Sequence, residues 1–244
     1  MPGQHRLRQY RVITLITLRA MLGRKRALLL AVPPLALIAV ALAMRAGHPG
    51  HASWPAAASA FEFSVVLPLT ALVIGTGVLG AEIDDGTIIT VLATPVRRPV
   101  IIEAKYAVAT AATIAIAAVP ELLAGLIAGG SRLAAGLFAG AAAGAAIYSA
   151  LFLALSVLSA RAVAIGLAYV LIWEGLLANA VSGARLLSAG QYALGIAQAA
   201  AHDPALGARL GVATSAVMGA LVIAAALTVA SAGLAAFSLR GEHA

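Results

Sequence analysis

Six long apolar segments, at 27–44, 62–80, 104–128, 134–158, 162–181 and 212–239, leave this chain few ways to fold. Each reaches the roughly 17–25 residues needed to cross a hydrocarbon layer at about 1.5 Å of rise per residue. The last is long enough to tilt or to project beyond the lipid. The runs are continuous and lack the alternation of a membrane barrel strand. A bilayer also requires every backbone polar group to find its partner inside the protein, which a helix achieves within its own segment. The expected fold class is an all-α membrane protein with six transmembrane helices in a single domain, 1–244.

Composition agrees. Hydrophobic residues make up 62% of the chain and charged residues 10%, against about 25% charged in a soluble domain. The absence of Cys excludes disulfides, thiolate metal sites and cysteine nucleophiles. The first apolar run is too long for a cleavable signal and follows a basic stretch, so it is expected to remain as a span. Arginine far outnumbers lysine, and with heavy use of Ala, Gly and Val this suits a GC-rich genome and a bacterial cell membrane.

Orientation follows from the positive charges. With the N-terminus inside, twelve of the sixteen Lys and Arg residues fall on inner segments, and Arg45, Arg132, Arg185 and Arg209 fall outside. Both termini and the loop 81–103 are then cytoplasmic. Residues 9–26 interleave Val12, Ile13, Leu15, Ile16, Leu18 and Leu22 with Arg11, Arg19 and Arg24. That pattern predicts an amphipathic helix lying on the inner interface, its arginines meeting anionic lipid at about 1 kcal/mol each.

Between the second and third spans lies a charged island, AEIDDGTIITVLATPVRRPVIIEAK, from Ala81 to Lys105. Residues 87–94 carry Ile88, Ile89 and Leu92 at helical spacing, and Pro95 stops the run. A short amphipathic helix held at the membrane surface needs something to rest on, and a partner protein is expected. Asp84 and Asp85 are expected before or within its first turn, where negative charge complements the helix dipole. Gly86 permits a sharp departure from the second span. Arg97 and Arg98 bring the chain back to headgroup level, and Pro99 keeps it from continuing as helix. The bland alternative is a solvated loop with no partner.

The order of elements, together with Glu82-x-Asp84-Asp85-Gly86-Thr87, then Leu92, Pro95-Val96-Arg97-Arg98 and Lys105, resembles the permease subunits of ATP-binding-cassette exporters of the type-2 permease superfamily. The resemblance in topology covers nearly the whole chain, and the loop alone is motif-specific. It implies a coupling helix that docks on an ABC ATPase subunit through Glu82, Asp84, Asp85, Gly86, Thr87, Ile88, Ile89, Leu92, Pro95, Arg97 and Arg98. It also implies a second permease copy or paralogue, ATP and Mg held by the partner ATPase with no cofactor on this chain, and short re-entrant outer helices over 182–211, after Trp173-Glu174. The β-branched Ile88 and Ile89 depart from the pattern and suit only a short helix.

A phosphate-binding loop needs glycine directly before its lysine, but Arg24 precedes Lys25 and Ala104 precedes Lys105. The chain is therefore expected to be no enzyme, with ATP hydrolysis left to a separate subunit. Gly75-Thr76-Gly77-Val78-Leu79-Gly80 spells a dinucleotide fingerprint but ends a span with no strand before it, so close packing or a flexible exit is the better account. Gly136, Gly140 and Gly144 make one smooth ridge for a close-packed helix, within this chain rather than at a dimer seam. His48, His51, His202 and Asp203 read as solvated loop residues, not a metal site.

Three glutamates remain. Glu62 opens the second span, Glu121 lies about 25 Å along the third and Glu174 about 18 Å along the fifth. All three fall in the outer half. A carboxyl there costs at least ~2.5–3.5 kcal/mol on insertion scales and marks a gate or substrate path. The alternative is that they bond the free backbone ends of broken helices, aided by Pro120 beside Glu121. The whole reads as a permease exporting a hydrophobic or amphipathic substrate, with membrane lipids around it and no nucleic-acid partner. A membrane enzyme lacks support, since no catalytic Asp pair in a span, H-E-x-x-H or G-x-S-x-G occurs. A non-transporting assembly factor is the third reading.

Overall fold

Apolar runs become helices in the computed structural model, which describes residues 24–47, 62–84, 98–181 and 183–241. Among the described residues all regular structure is helical. Helix α1 is Arg24–Gly47. A π-helical turn Glu62–Val66 leads into α2, Leu67–Asp84. Helix α3, Arg98–Thr113, passes through a second π turn, Ile114–Ala118, into α4, Val119–Gly129. Helix α5 is Ser131–Leu158. Helix α6, Ala162–Ala168, widens into a π-helical stretch, Tyr169–Leu177. Helix α7 is Ala189–Ala201 and α8 is Val212–Gly241.

Among the described residues four stretches are long and apolar enough to cross a membrane: Glu62–Leu79, Arg98–Ile127, Ser131–Leu158 and Val212–Ala236. The segments at 27–44 and 162–181 contain shorter apolar helices, Pro34–Ala43 and Ala162–Leu177. The helix expected over 87–94, most of the interfacial helix expected over 9–26, and His48 and His51 lie outside the described residues. Arg24, Lys25 and Arg26 belong to α1.

Two boundaries differ from expectation for simple reasons. The third helix begins at Arg98, not 104, and Pro99 occupies its first turn instead of ending helix. An N–H there would have no acceptor within the helix, so proline costs nothing and its φ is already set. Helix α2 continues to Asp84 because Ala81, Glu82 and Ile83 can extend it and no breaker precedes Gly86. Asp84 therefore closes α2 at its C-terminal end, where negative charge is disfavoured.

Helix α5 is the central strut, packed against α2, α3, α4, α7 and α8. It is joined to α4 by Gly130 alone, at φ 84° and ψ −174°, a backbone region open essentially to glycine. Just before this turn a Cβ on Gly125 would sit 2.6 Å from Ala134 Cα, so the two helices touch backbone to backbone. Toward the Gly130 end the core gathers Phe63, Leu67, Leu137, Tyr148, Phe152 and Tyr192. Toward the other end Leu79, Ile101, Ile102, Leu153, Val157 and Leu234 form a second cluster. Between them Thr113 Oγ1 lies 3.3 Å from Ser149 Oγ, a polar tie between α3 and α5.

Candidate functional site

The ridge of α5 is filled from within the chain. A Cβ on Gly136 would lie 2.4 Å from Ala201 Cβ, and one on Gly140 would lie 2.5 Å from Ala197 Cβ and 2.6 Å from Ala193 O. On Gly144 it would meet Leu67 at 2.5 Å and Ala193 at 2.9 Å. The element in this groove is α7, whose face of Ala189, Gly190, Ala193, Ala197 and Ala201 is buried. Small residues on both sides allow backbones to approach closely, the usual basis of helix association in lipid. Gly75 likewise packs, 2.9 Å from Phe152 Cβ at an added Cβ.

Glu174 holds α7 in place. Its Oε1 accepts hydrogen bonds from Tyr169 Oη (2.9 Å) and from the Ala189 N–H (2.8 Å), and its Oε2 accepts one from Ser188 Oγ. Ser188 is the N-cap of α7, its Oγ accepting from the Gln191 N–H at 3.1 Å. A carboxyl that is 5% exposed thus sits on the first turn of a helix, where unpaired N–H groups and the dipole both favour it. Tyr192 Oη donates to the carbonyl of Leu186, and Trp173 Nε1 donates to that of Leu187 at 3.2 Å, which ties down the approach to α7. Burial, and after it the Glu174 carboxylate, hold the Tyr192 phenol above its ordinary pKa. His202 ends α7 in the left-handed region at φ 53°, and Asp203 Oδ1 accepts from the Ala205 N–H at 3.0 Å. These two residues shape a turn.

Glu62 and Glu121 are placed differently. Both are fully buried, and none of their carboxyl oxygens has a hydrogen-bond partner among the described residues. Each stands at a π turn with a proline beyond it. Pro120 has no N–H to give to the carbonyl of Ile116 and its ring crowds that oxygen, so the helix widens over Ile114–Ala118 and the Val119 N–H reaches back to Ile114 O. Pro68 bears the same relation to Ser64, at the centre of Glu62–Val66. These prolines were the signal for local widening. Pro120 stands beside Glu121 in the sequence, whereas the same signal near Glu62 comes from Pro68, six positions later.

At the opposite end lie the residues of the charged island. Glu82 and Asp84 are in the last turn of α2, and Arg98 is the first residue of α3. Asp85, Gly86, Thr87, Ile88, Ile89, Leu92, Pro95 and Arg97 lie outside the described residues. Below the island Lys105, 1% exposed, reaches from α3 to α2 and donates from Nζ to Val78 O at 3.0 Å. Leu79, Ile101 and Ile102 pack in the same region. A buried lysine is a costly group, and here it links the two helices that flank the island.

A family model described as "ABC-2 family transporter protein" matches residues 15–181, more than half of the chain. No curated protein matches it.

Proposed function

The chain belongs to the ABC-2 family of transporter proteins, and from that premise we propose that it is an ATP-driven exporter's permease whose 87–94 segment is the coupling helix. At the coarser level it is a multi-pass membrane permease of an ABC transporter, and its family implies an ABC ATPase as partner. The observation that carries the finer reading is the family match running through the whole island, 81–105. The helices on either side of that island are tied by Lys105.

In this reading six spans cross a bacterial cell membrane with both termini cytoplasmic. Two permease copies, or this chain and a paralogue, sit on two ATPases that hold ATP and Mg. The apolar face of Ile88, Ile89 and Leu92 lies in a groove of the ATPase, with Glu82, Asp84, Asp85, Arg97 and Arg98 around its rim. ATPase closure pushes on this helix, and α2 and α3 carry the push through Lys105 into the packed end below the island. Substrate leaves at the end where Glu62 and Glu121 lie, and Glu174 anchors α7 there.

The test is Leu92→Asp in the full chain, co-expressed with its ATPase. Placing a charge in a packed apolar contact costs several kcal/mol, so ATPase co-purification is expected to fall steeply while the permease still inserts. Normal co-purification and normal substrate-stimulated hydrolysis in that variant would sink the coupling role.

A further inference from the structure

The fifth apolar segment ends inside the membrane. Helix α6 rises from the turn at 159–161 that joins it to α5, and Glu174 stands no more than about 18 Å above that turn at 1.5 Å per residue. Along α5, Tyr148 stands about 15 Å above the same turn. The two levels coincide, because a Cβ on Gly190 would lie 3.2 Å from both Glu174 Oε2 and Tyr148 Oη. In a hydrocarbon layer about 30 Å thick this is near the middle. Regular helix stops at Ala180, at most about 9 Å higher than Glu174. From there the 3-10 helix Gly183–Leu187 brings the chain back down to Ser188, which donates to Glu174. Trp173 holds the carbonyl of Leu187 at the same level.

Such backbone does not face lipid, since a helix end leaves carbonyls that acyl chains cannot satisfy. The protein answers part of the need. The Val181 and Ala184 N–H groups donate to Leu177 O and Val181 O, and Tyr192 and Trp173 serve the carbonyls of Leu186 and Leu187. Yet Val181, Gly183, Leu186 and Leu187 are exposed, and a Cβ on Gly183 would meet nothing within 4 Å. Whatever occupies that open side must form hydrogen bonds, and water does so without any matching surface. Arg185, half-buried in the same turn, agrees, because an ionisable group at membrane depth faces the protein interior or a water-filled cavity.

We infer that Val181 and Gly183–Leu187 form the wall of a water-filled recess that enters the membrane from the surface where α5 begins and reaches about halfway through it. Leu186 and Leu187 add apolar patches to polar backbone, so the recess suits the hydrated head of an amphipathic molecule. That use rests on reading the chain as a transporter. The recess itself requires only that the chain spans the membrane.

The test exploits a chain without natural cysteine. Gly183→Cys, Leu186→Cys and Leu187→Cys are each made in the full chain, co-expressed with its ATPase and placed in lipid nanodiscs. The reference is Leu221→Cys on α8. A Cβ on Gly219 would lie 2.9 Å from Ile147 Cδ1, next to Tyr148 in the chain, so exposed Leu221 marks the depth of the recess on a regular helix. The probe is charged sulfonatoethyl methanethiosulfonate, which needs a hydrated thiolate. Modification at two or more of the three sites at least about tenfold faster than at Leu221→Cys is expected. Rates matching a slow Leu221→Cys would put the segment against lipid and overturn the inference. So would a Leu221→Cys as fast as the rest, which would place that whole level outside the bilayer. Slow modification with disulfide cross-linking between copies under oxidation would also overturn it, by showing a protein seam in place of water. ATPase co-purification is read on the same preparation. Its loss with fast labelling counts against the coupling reading only, and slow labelling with the ATPase bound counts against the recess only.

Discussion

Glu174 and the Glu62–Glu121 pair are buried to almost the same degree, yet they stand in opposite chemical situations. Glu174 accepts from Tyr169, Ser188 and the first N–H of α7, and its carboxyl completes a helix end. Among the described residues Glu62 and Glu121 have none. Burial alone therefore does not identify a functional carboxyl in a membrane protein. The partners decide, because a satisfied acid stabilises the fold while an unsatisfied one needs something not supplied by the fold.

The comparison breaks most visibly at Glu174. Glu174→Ala leaves the donors of Tyr169, Ser188 and Ala189 unpaired, each a loss of about 1–3 kcal/mol, so a total of at least about 3 kcal/mol is expected. The isosteric Glu121→Gln leaves no donor without its partner and should cost far less than Glu174→Ala. Unfolding in detergent micelles by added dodecyl sulfate measures both. Similar losses in the two variants would erase the distinction.

A smaller effect tests whether α7 is held by the ridge as well as by Glu174. Alanine normally favours a helix by about 1 kcal/mol over glycine. Gly140→Ala should instead destabilise by about 1–3 kcal/mol, because its Cβ would meet Ala197 Cβ at 2.5 Å and Ala193 O at 2.6 Å. Ala197→Gly in the same chain should recover part of that loss. A stabilised Gly140→Ala would mean that α7 is not seated there.

Ser188→Ala is expected to be the mildest. It removes the N-cap of α7 and one donor to Glu174, and loses about 1 kcal/mol. The same unfolding assay, combined with Glu174→Ala, should show the two losses to be less than additive, since they share a bond. Full additivity would place Ser188 outside the Glu174 network.

Much of the molecule was legible without coordinates. Continuous apolar runs dictated helices because lipid offers the backbone no partners. The ridge of Gly136, Gly140 and Gly144 announced that another helix would come close, and the island's charges, glycine and prolines pointed to the family. The helix ends were less legible. Pro99 is compatible both with ending one helix and with starting the next, and only the paths of α2 and α3 resolved it.

What the sequence determined by itself was the set of faces and the class of protein, since periodicity, hydropathy and local breakers are properties of short stretches. Tertiary structure alone decided who meets whom. It seated the semi-polar 189–201 segment, not another long span, on the glycine ridge. It gave Glu174 the N-terminus of α7, and it buried Glu62 and Glu121 with no hydrogen-bond donor among the described residues. Those pairings depend on how α1, α4, α5 and α7 cross, and crossing is set by packing summed over many residues that no local window contains.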